Sequence, residues 1–96
     1  MEIKKTVEGS KLTLAPVGRV DTLTAPELEG ALALDGVTEL VFDLVELEYI
    51  SSAGLRVLLS AQKTMNKQGS MTVLNPKPAV KEVFDITGFS DIFTFA

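Results

Sequence analysis

The chain has 96 residues, 46% of them hydrophobic and 23% charged, which suits one soluble globular domain with a modest core. It contains neither cysteine nor histidine, which removes disulfides, zinc–thiolate sites, thiol nucleophiles and the commonest general base. A net charge of −4, with both signs mixed along the chain, argues against nucleic acid or an anionic membrane as partner, because both need a clustered basic surface.

No apolar run approaches the ~20 residues of a membrane span, and Met1 leads into a charged segment instead of a signal peptide. No membrane insertion is expected, and the expected address is the cytoplasm. Ile3 to Val7 and Leu12 to Val17 read as strands joined by Glu8-Gly9-Ser10-Lys11, a turn-rich tetrapeptide that suits a hairpin. Thr24-Ala25-Pro26-Glu27 reads as a helix start, with Thr24 as cap, Glu27 as its return arm and Pro26 in the first turn. Leu28, Ala31 and Leu32 follow at helical spacing, and Asp35-Gly36 ends that helix.

Leu40-Val41-Phe42-Asp43-Leu44 is nearly continuous in apolar character, which predicts a strand covered on both faces. Leu47, Tyr49 and Ile50 bring the chain back to the core. At Ser52 the period becomes helical: Leu55, Leu58, Leu59, Gln62 and Met65 share one face, and Gly69 stops the helix. Met71 to Leu74 reads as a strand, and Asn75-Pro76-Lys77-Pro78 opens a third helix with Val80, Val83 and Phe84 inside. Gly88 fits a left-handed exit, Phe89 folds back, and Ile92 to Phe95 reads as a last strand, with Phe89, Ile92 and Phe93 in the core. The order β-β-α-β-α-β-α-β implies a single α/β domain over residues 1–96, a mixed sheet with crossover helices.

Chemistry concentrates where two hydroxyls, Ser51 and Ser52, stand at the start of the second helix. Free backbone N–H groups there favour an anion. One reading is a simple cap, which stabilises a domain by ~1 kcal/mol. The other is phosphorylation, which brings roughly −1.5 to −2 charges and three acceptor oxygens to those amides. One cap needs only one hydroxyl, and Ala53 and Gly54 behind the pair leave the helix start bare for a partner. A serine-nucleophile enzyme fits poorly, since no His or Cys base exists and no glycine precedes the pair to form a nucleophile elbow. No metal site is expected. Asp43, a charge inside an apolar run, is expected to accept hydrogen bonds from the loop holding Ser51 and Ser52. Arg56, one turn into the helix, is expected to be exposed and to meet a partner or a phosphate.

Tyr49-Ile50-Ser51-Ser52-Ala53-Gly54-Leu55, with Phe42-Asp43-Leu44 before it, resembles the signature of STAS domains, specifically the bacterial anti-sigma factor antagonists. The likeness extends to Gly18-Arg19-Val20-Asp21-Thr22-Leu23-Thr24-Ala25-Pro26-Glu27-Leu28 and to Pro78-Ala79-Val80-Lys81-Glu82-Val83-Phe84-Asp85-Ile86-Thr87-Gly88-Phe89. The resemblance implies that Ser52 is the phosphoacceptor and that the protein is a partner switch, not an enzyme. Unphosphorylated, it would bind an anti-sigma factor that is also a serine kinase; phosphorylated, it would let go, and a serine phosphatase would reset it. ATP would belong to the kinase, and this chain would hold no cofactor. The resemblance also places Asp21 near Ser52, where it either orients the hydroxyl, contacts the kinase, or serves as a turn aspartate bonding local amides. Family members often carry Asp where this chain has Ser51, which leaves a second reading open: a constitutive STAS interaction module of a transporter or sensory complex, without phosphorylation.

Overall fold

A computed structural model describes the whole chain, Met1–Ala96. Strand β1 (Glu2–Glu8) turns through Gly9, at φ +62°, into β2 (Lys11–Val20), and the two pair antiparallel along their length. Beyond this hairpin every pairing is parallel. The first half of β2 pairs with β3 (Glu39–Asp43), and β5 (Ser70–Leu74) lies on the far side of β3. A register shift at Gly18/Arg19 then hands the end of β2 to β4 (Leu47–Ile50). Three helices complete the domain: α1 (Ala25–Gly30), α2 (Ser52–Gln68) and α3 (Pro78–Ile86).

Alternation along the strands decides where the core sits. Leu12 and Leu14, Leu40 and Phe42, Met71 and Val73 project to one face, where they meet Leu28 of α1, Leu55, Leu58 and Met65 of α2, and Val80 and Phe84 of α3 in one cluster. Each wholly buried leucine or phenylalanine contributes about 1.5–3 kcal/mol of apolar transfer. The intervening positions do not join that cluster. Val41 is buried, but its ladder partners are Thr13 and Thr72, both only half-buried. The expected two-sided cover of this strand is therefore corrected. The core cluster lies on one face, and Val41 is shielded on the other by cross-strand neighbours.

The α/β order stands, with three local differences. Helix α1 ends at Gly30 instead of running to Asp35-Gly36. The following turns are held elsewhere: Gln68 Nε2 donates to the carbonyls of Leu34 at 2.6 Å and Val37 at 2.7 Å. The Thr24–Glu27 capping box does not form, because Glu27 pairs with the Met1 amino group and the Thr24 side chain turns back toward Arg19. The segment Leu47–Ile50 is a full strand. Ile92 to Phe95, by contrast, forms no strand: it follows a 3₁₀ turn at Phe89–Asp91 and contributes a single bridge, from Phe95 to Val73. Aromatic packing replaces the missing ladder there, with Phe84 edge-on to Phe93 at 5.5 Å and to Phe95 at 5.2 Å. Phe93 is buried and Phe89 half-buried, but Ile92 is exposed and leaves the expected core.

Two glycines do what the sequence asks of them. Gly88 exits α3 at φ +76°. Gly69 closes α2 where its backbone runs against Thr38: a Cβ added there would stand 1.9 Å from the Thr38 carbonyl oxygen.

Candidate functional site

The site is built on the carboxyl ends of β2 and β4. Val20 and Ile50 are in register there, and the Ser51 N–H donates to the Val20 carbonyl at 2.8 Å, so the two strand exits lie side by side. One exit leads into the Asp21 turn and the other into α2.

The Asp21 turn is heavily bonded. Asp21 Oδ1 accepts from the N–H groups of Leu23 at 3.0 Å and Thr24 at 3.1 Å. The Thr24 hydroxyl accepts from the Asp21 N–H at 2.9 Å and has the Arg19 carbonyl at 2.9 Å within donating reach. The bond from the Thr24 backbone N–H is the main cause that holds the Asp21 carboxyl below the usual carboxylate range. The Leu23 N–H, the Thr24 hydroxyl and the Arg19 guanidinium add to it, against a smaller upward push from desolvation. Asp21 thus acts as a turn aspartate bonding local amides, beside the serine pair.

At the other exit Ser51 is extended (φ −97°, ψ 175°), and its hydroxyl accepts from the Gly54 N–H at 3.4 Å while its carbonyl accepts from Leu55 N–H at 3.0 Å. The cap is therefore Ser51. Ser52 is the first helical residue, is exposed, and has no part in capping. With the Ser51, Gly54 and Leu55 amides engaged, those of Ser52 and Ala53 remain for an outside acceptor.

Gly54 corrects one expectation. It does not bare the helix for a partner; it is buried, and a Cβ there would lie 2.7 Å from Val20 Cγ1 and from Ile50 Cγ1. Glycine lets α2 seat directly on the strand ends and so sets where Ser52 stands. Ala53 is half-buried and packs against the core cluster. Together with Thr22, Ala25, Glu29, Arg56 and Val57 it lines a cleft of about 270 Å³ between α1 and α2. That volume is below the usual range for a small-molecule pocket. Arg56 is exposed on the cleft rim and stands four residues after Ser52, hence on the same side of α2.

Asp43 is a second correction. Its Oδ1 accepts from the Val45 N–H and from Asn75 Nδ2, each at 3.2 Å, and not from the serine loop. At the end of β3 it faces the exit of β5, so it ties the β3–β4 turn to Asn75, whose φ of +54° this bond helps to hold. Two features were missed in the sequence. The Arg19 guanidinium lies over the Tyr49 ring at 4.3 Å from its centroid, a contact made by the parallel pairing of two distant segments. Leu23, in the middle of the Asp21 turn, is 85% exposed. An apolar residue flanked by turn formers was its signal.

The STAS domain family model matches residues 2–96. BtrV of Bordetella bronchiseptica, named for an anti-sigma factor antagonist role, is 45% identical over 83 residues, covering 82% of this chain and 72% of BtrV. The anti-sigma-B factor antagonist of Listeria monocytogenes is 35% identical over 79 residues, covering 78% of this chain and 69% of that protein. Among solved structures, an anti-sigma factor antagonist from Mycobacterium paratuberculosis is 27% identical and superposes with a TM-score of 0.86 over 98% of this chain and 83% of that one. Unphosphorylated SpoIIAA, at 19% identity and a TM-score of 0.83 over 99% of this chain and 88% of that one, shares the fold. A match across the whole fold, with relatives at these identities, means that the chain belongs to the STAS domain family and groups with its anti-sigma factor antagonists.

Proposed function

We propose that this protein is a partner switch: unphosphorylated, it binds an anti-sigma factor that is also a serine kinase, and phosphorylation of Ser52 releases it. The observation that carries this reading is the division of labour between two adjacent serines. Ser51 caps the helix, while Ser52 stands exposed at the first helical position. In the transfer, Ser52 Oγ bonds to the γ-phosphorus of ATP held by the kinase, the bond to the β–γ bridging oxygen breaks, and ADP leaves. The serine proton passes to a base on the kinase, since this chain has no histidine or cysteine to take it. This chain is substrate and ligand, not catalyst, and it works in the cytoplasm.

The new phosphate carries about −1.5 to −2 charges. The Ser52 and Ala53 amides and the Arg56 guanidinium are placed to receive part of that charge. The remainder faces a docked surface that must desolvate it, which favours release. Ser51 matters here because a serine caps without charge. No carboxylate at that position repels the phosphate, so the cap and the switch do not conflict. A serine phosphatase removes the phosphate by hydrolysis and restores binding.

Incubation with the cognate kinase and ATP, followed by intact-mass measurement and site mapping, tests the reading. One phosphate on Ser52 is expected. Ser52→Ala should bind the kinase and accept none, and Ser52→Asp should bind at least about tenfold more weakly, a loss of about 1.4 kcal/mol. Phosphate landing on Ser51 or Thr22 overturns the site. Recovery of transporter ATPase subunits, with no kinase, would favour the constitutive module instead.

A further inference from the structure

We propose that Leu23 is the apolar anchor of the complex: the anti-sigma factor carries a leucine-sized apolar socket beside the surface that meets Ser52. This rests on the partner-switch reading and deepens it. Exposure alone does not make the case, since single apolar side chains on a surface are ordinary. Ile86, the last residue of α3, is 74% exposed and Val7, near the end of β1, 63%, and neither belongs to the turns at the carboxyl ends of β2 and β4. Three further observations set Leu23 apart.

The first is rigidity. The Leu23 N–H and the next one, Thr24, are both held by Asp21 Oδ1, and the Ala25 N–H donates to the Asp21 carbonyl at 2.8 Å. The Thr24 hydroxyl ties the turn to Asp21 and to Arg19. The side chain is therefore offered on a backbone that has little freedom left to lose, which lowers the cost of binding. The second is position. Thr22 before it and Ala25 just after it form one wall of the cleft whose other wall is Ala53, Arg56 and Val57, the opening turns of the helix that begins at Ser52. Leu23 itself lies outside the lining, in the turn between Thr22 and Ala25, so a surface that covers Ser52 and enters the cleft has Leu23 at its margin. The third is chemistry: Glu29 and Arg56, of opposite sign, line the cleft together with the apolar Ala25, Ala53 and Val57. An apolar anchor beside a mixed-charge rim is the usual anatomy of a specific protein interface.

This assigns different tasks to two residues. Leu23 supplies affinity that does not depend on the reacting atoms, and Ser52 supplies the switch. A contact made equally in the bound state and during transfer changes KM and leaves kcat alone.

The full chain, as wild type, Leu23→Ala and Leu23→Met, is titrated with the cognate anti-sigma kinase by calorimetry and assayed as its substrate at saturating ATP, with thermal melts alongside. Leu23→Ala is expected to raise Kd and KM together by about tenfold or more with kcat and melting temperature unchanged, and Leu23→Met to stay within about threefold of wild type. Wild-type affinity in Leu23→Ala, or a fall in kcat at constant KM, overturns the anchor alone. Absence of wild-type binding to the kinase overturns the partner-switch reading and the anchor with it.

Discussion

The parallel strands begin and end under different rules. At their amino ends the chain bonds to itself. Thr38 N–H donates to the Ser10 carbonyl at 2.9 Å and its hydroxyl to Ser10 Oγ at 2.8 Å, Ser70 N–H donates to the Thr38 carbonyl at 3.0 Å, and Gln68 takes up two more carbonyls. At their carboxyl ends Asp21 and Asp43 fix the backbone of the turns, but Ser52, Leu23 and Arg56 are presented to solvent. The carboxyl end of a parallel sheet is where helix amino termini and their unpaired amides gather, so it is the end that can receive charge. The difference teaches a division: one end stabilises the domain, and the other, held still by local bonds, is available to a partner.

Substitutions at each end test that division. Gly69→Ala should have the largest effect, because its Cβ would meet the Thr38 carbonyl oxygen, a backbone atom that cannot swing aside. A loss of about 3 kcal/mol is expected in urea unfolding, with partner affinity of the folded fraction unchanged. If stability holds, the amino ends are not the rigid end. Ser51→Ala should cost about 1 kcal/mol by losing the cap, and Ser51→Asp should recover it, since a carboxylate caps and also favours the helix dipole. A Ser51→Ala protein as stable as wild type would show that the serine pair holds no cap.

The smallest effect concerns acid. The Asp21 carboxyl lies below its unfolded value of about 3.9, so its contribution is fully present above that pH and fades as pH falls through the lower folded value. Asp85 behaves in the same sense, held down mainly by the Lys81 ammonium and by the Ser90 hydroxyl. Thermal melts between about pH 5 and 2 should show a shallower acid decline in Asp21→Asn than in wild type, with the Asp85 share remaining. Identical declines would mean that the turn does not depend on the Asp21 charge.

What the sequence made legible was local. The hairpin at Gly9, the span of α2 from Ser52 to Gly69 and the exit at Gly88 all rest on one residue type whose backbone or side-chain chemistry is decisive in place. The strand at Leu47–Ile50 was read only as a return to the core, because four residues carry little period and its partner, the end of β2, becomes available only after the shift at Gly18. The early end of α1 was hidden for a similar reason: Ala31, Leu32 and Leu34 favour a helix, and a glutamine from the far end of α2 takes the carbonyls of Leu34 and Val37. At the site, the chain positions of Ser51 and Ser52 were plain and their separate tasks were not, since which hydroxyl caps depends on where the backbone turns extended. Asp43 was misassigned because its true partner, Asn75, is brought beside it only by the β3–β5 pairing.

The outermost strand, β1, has one neighbour, so along its other side a row of amides and carbonyls faces water. A bare rim of that kind invites another chain to zip onto it. Lys4 and Lys5 sit at its middle, and Lys4 reaches Glu46 at 2.7 Å, so an intruding strand would have to displace charge at the place where it most needs to lie flat. The rim therefore guards against templated stacking while the working end, at the carboxyl ends of β2 and β4, stays free to exchange partners.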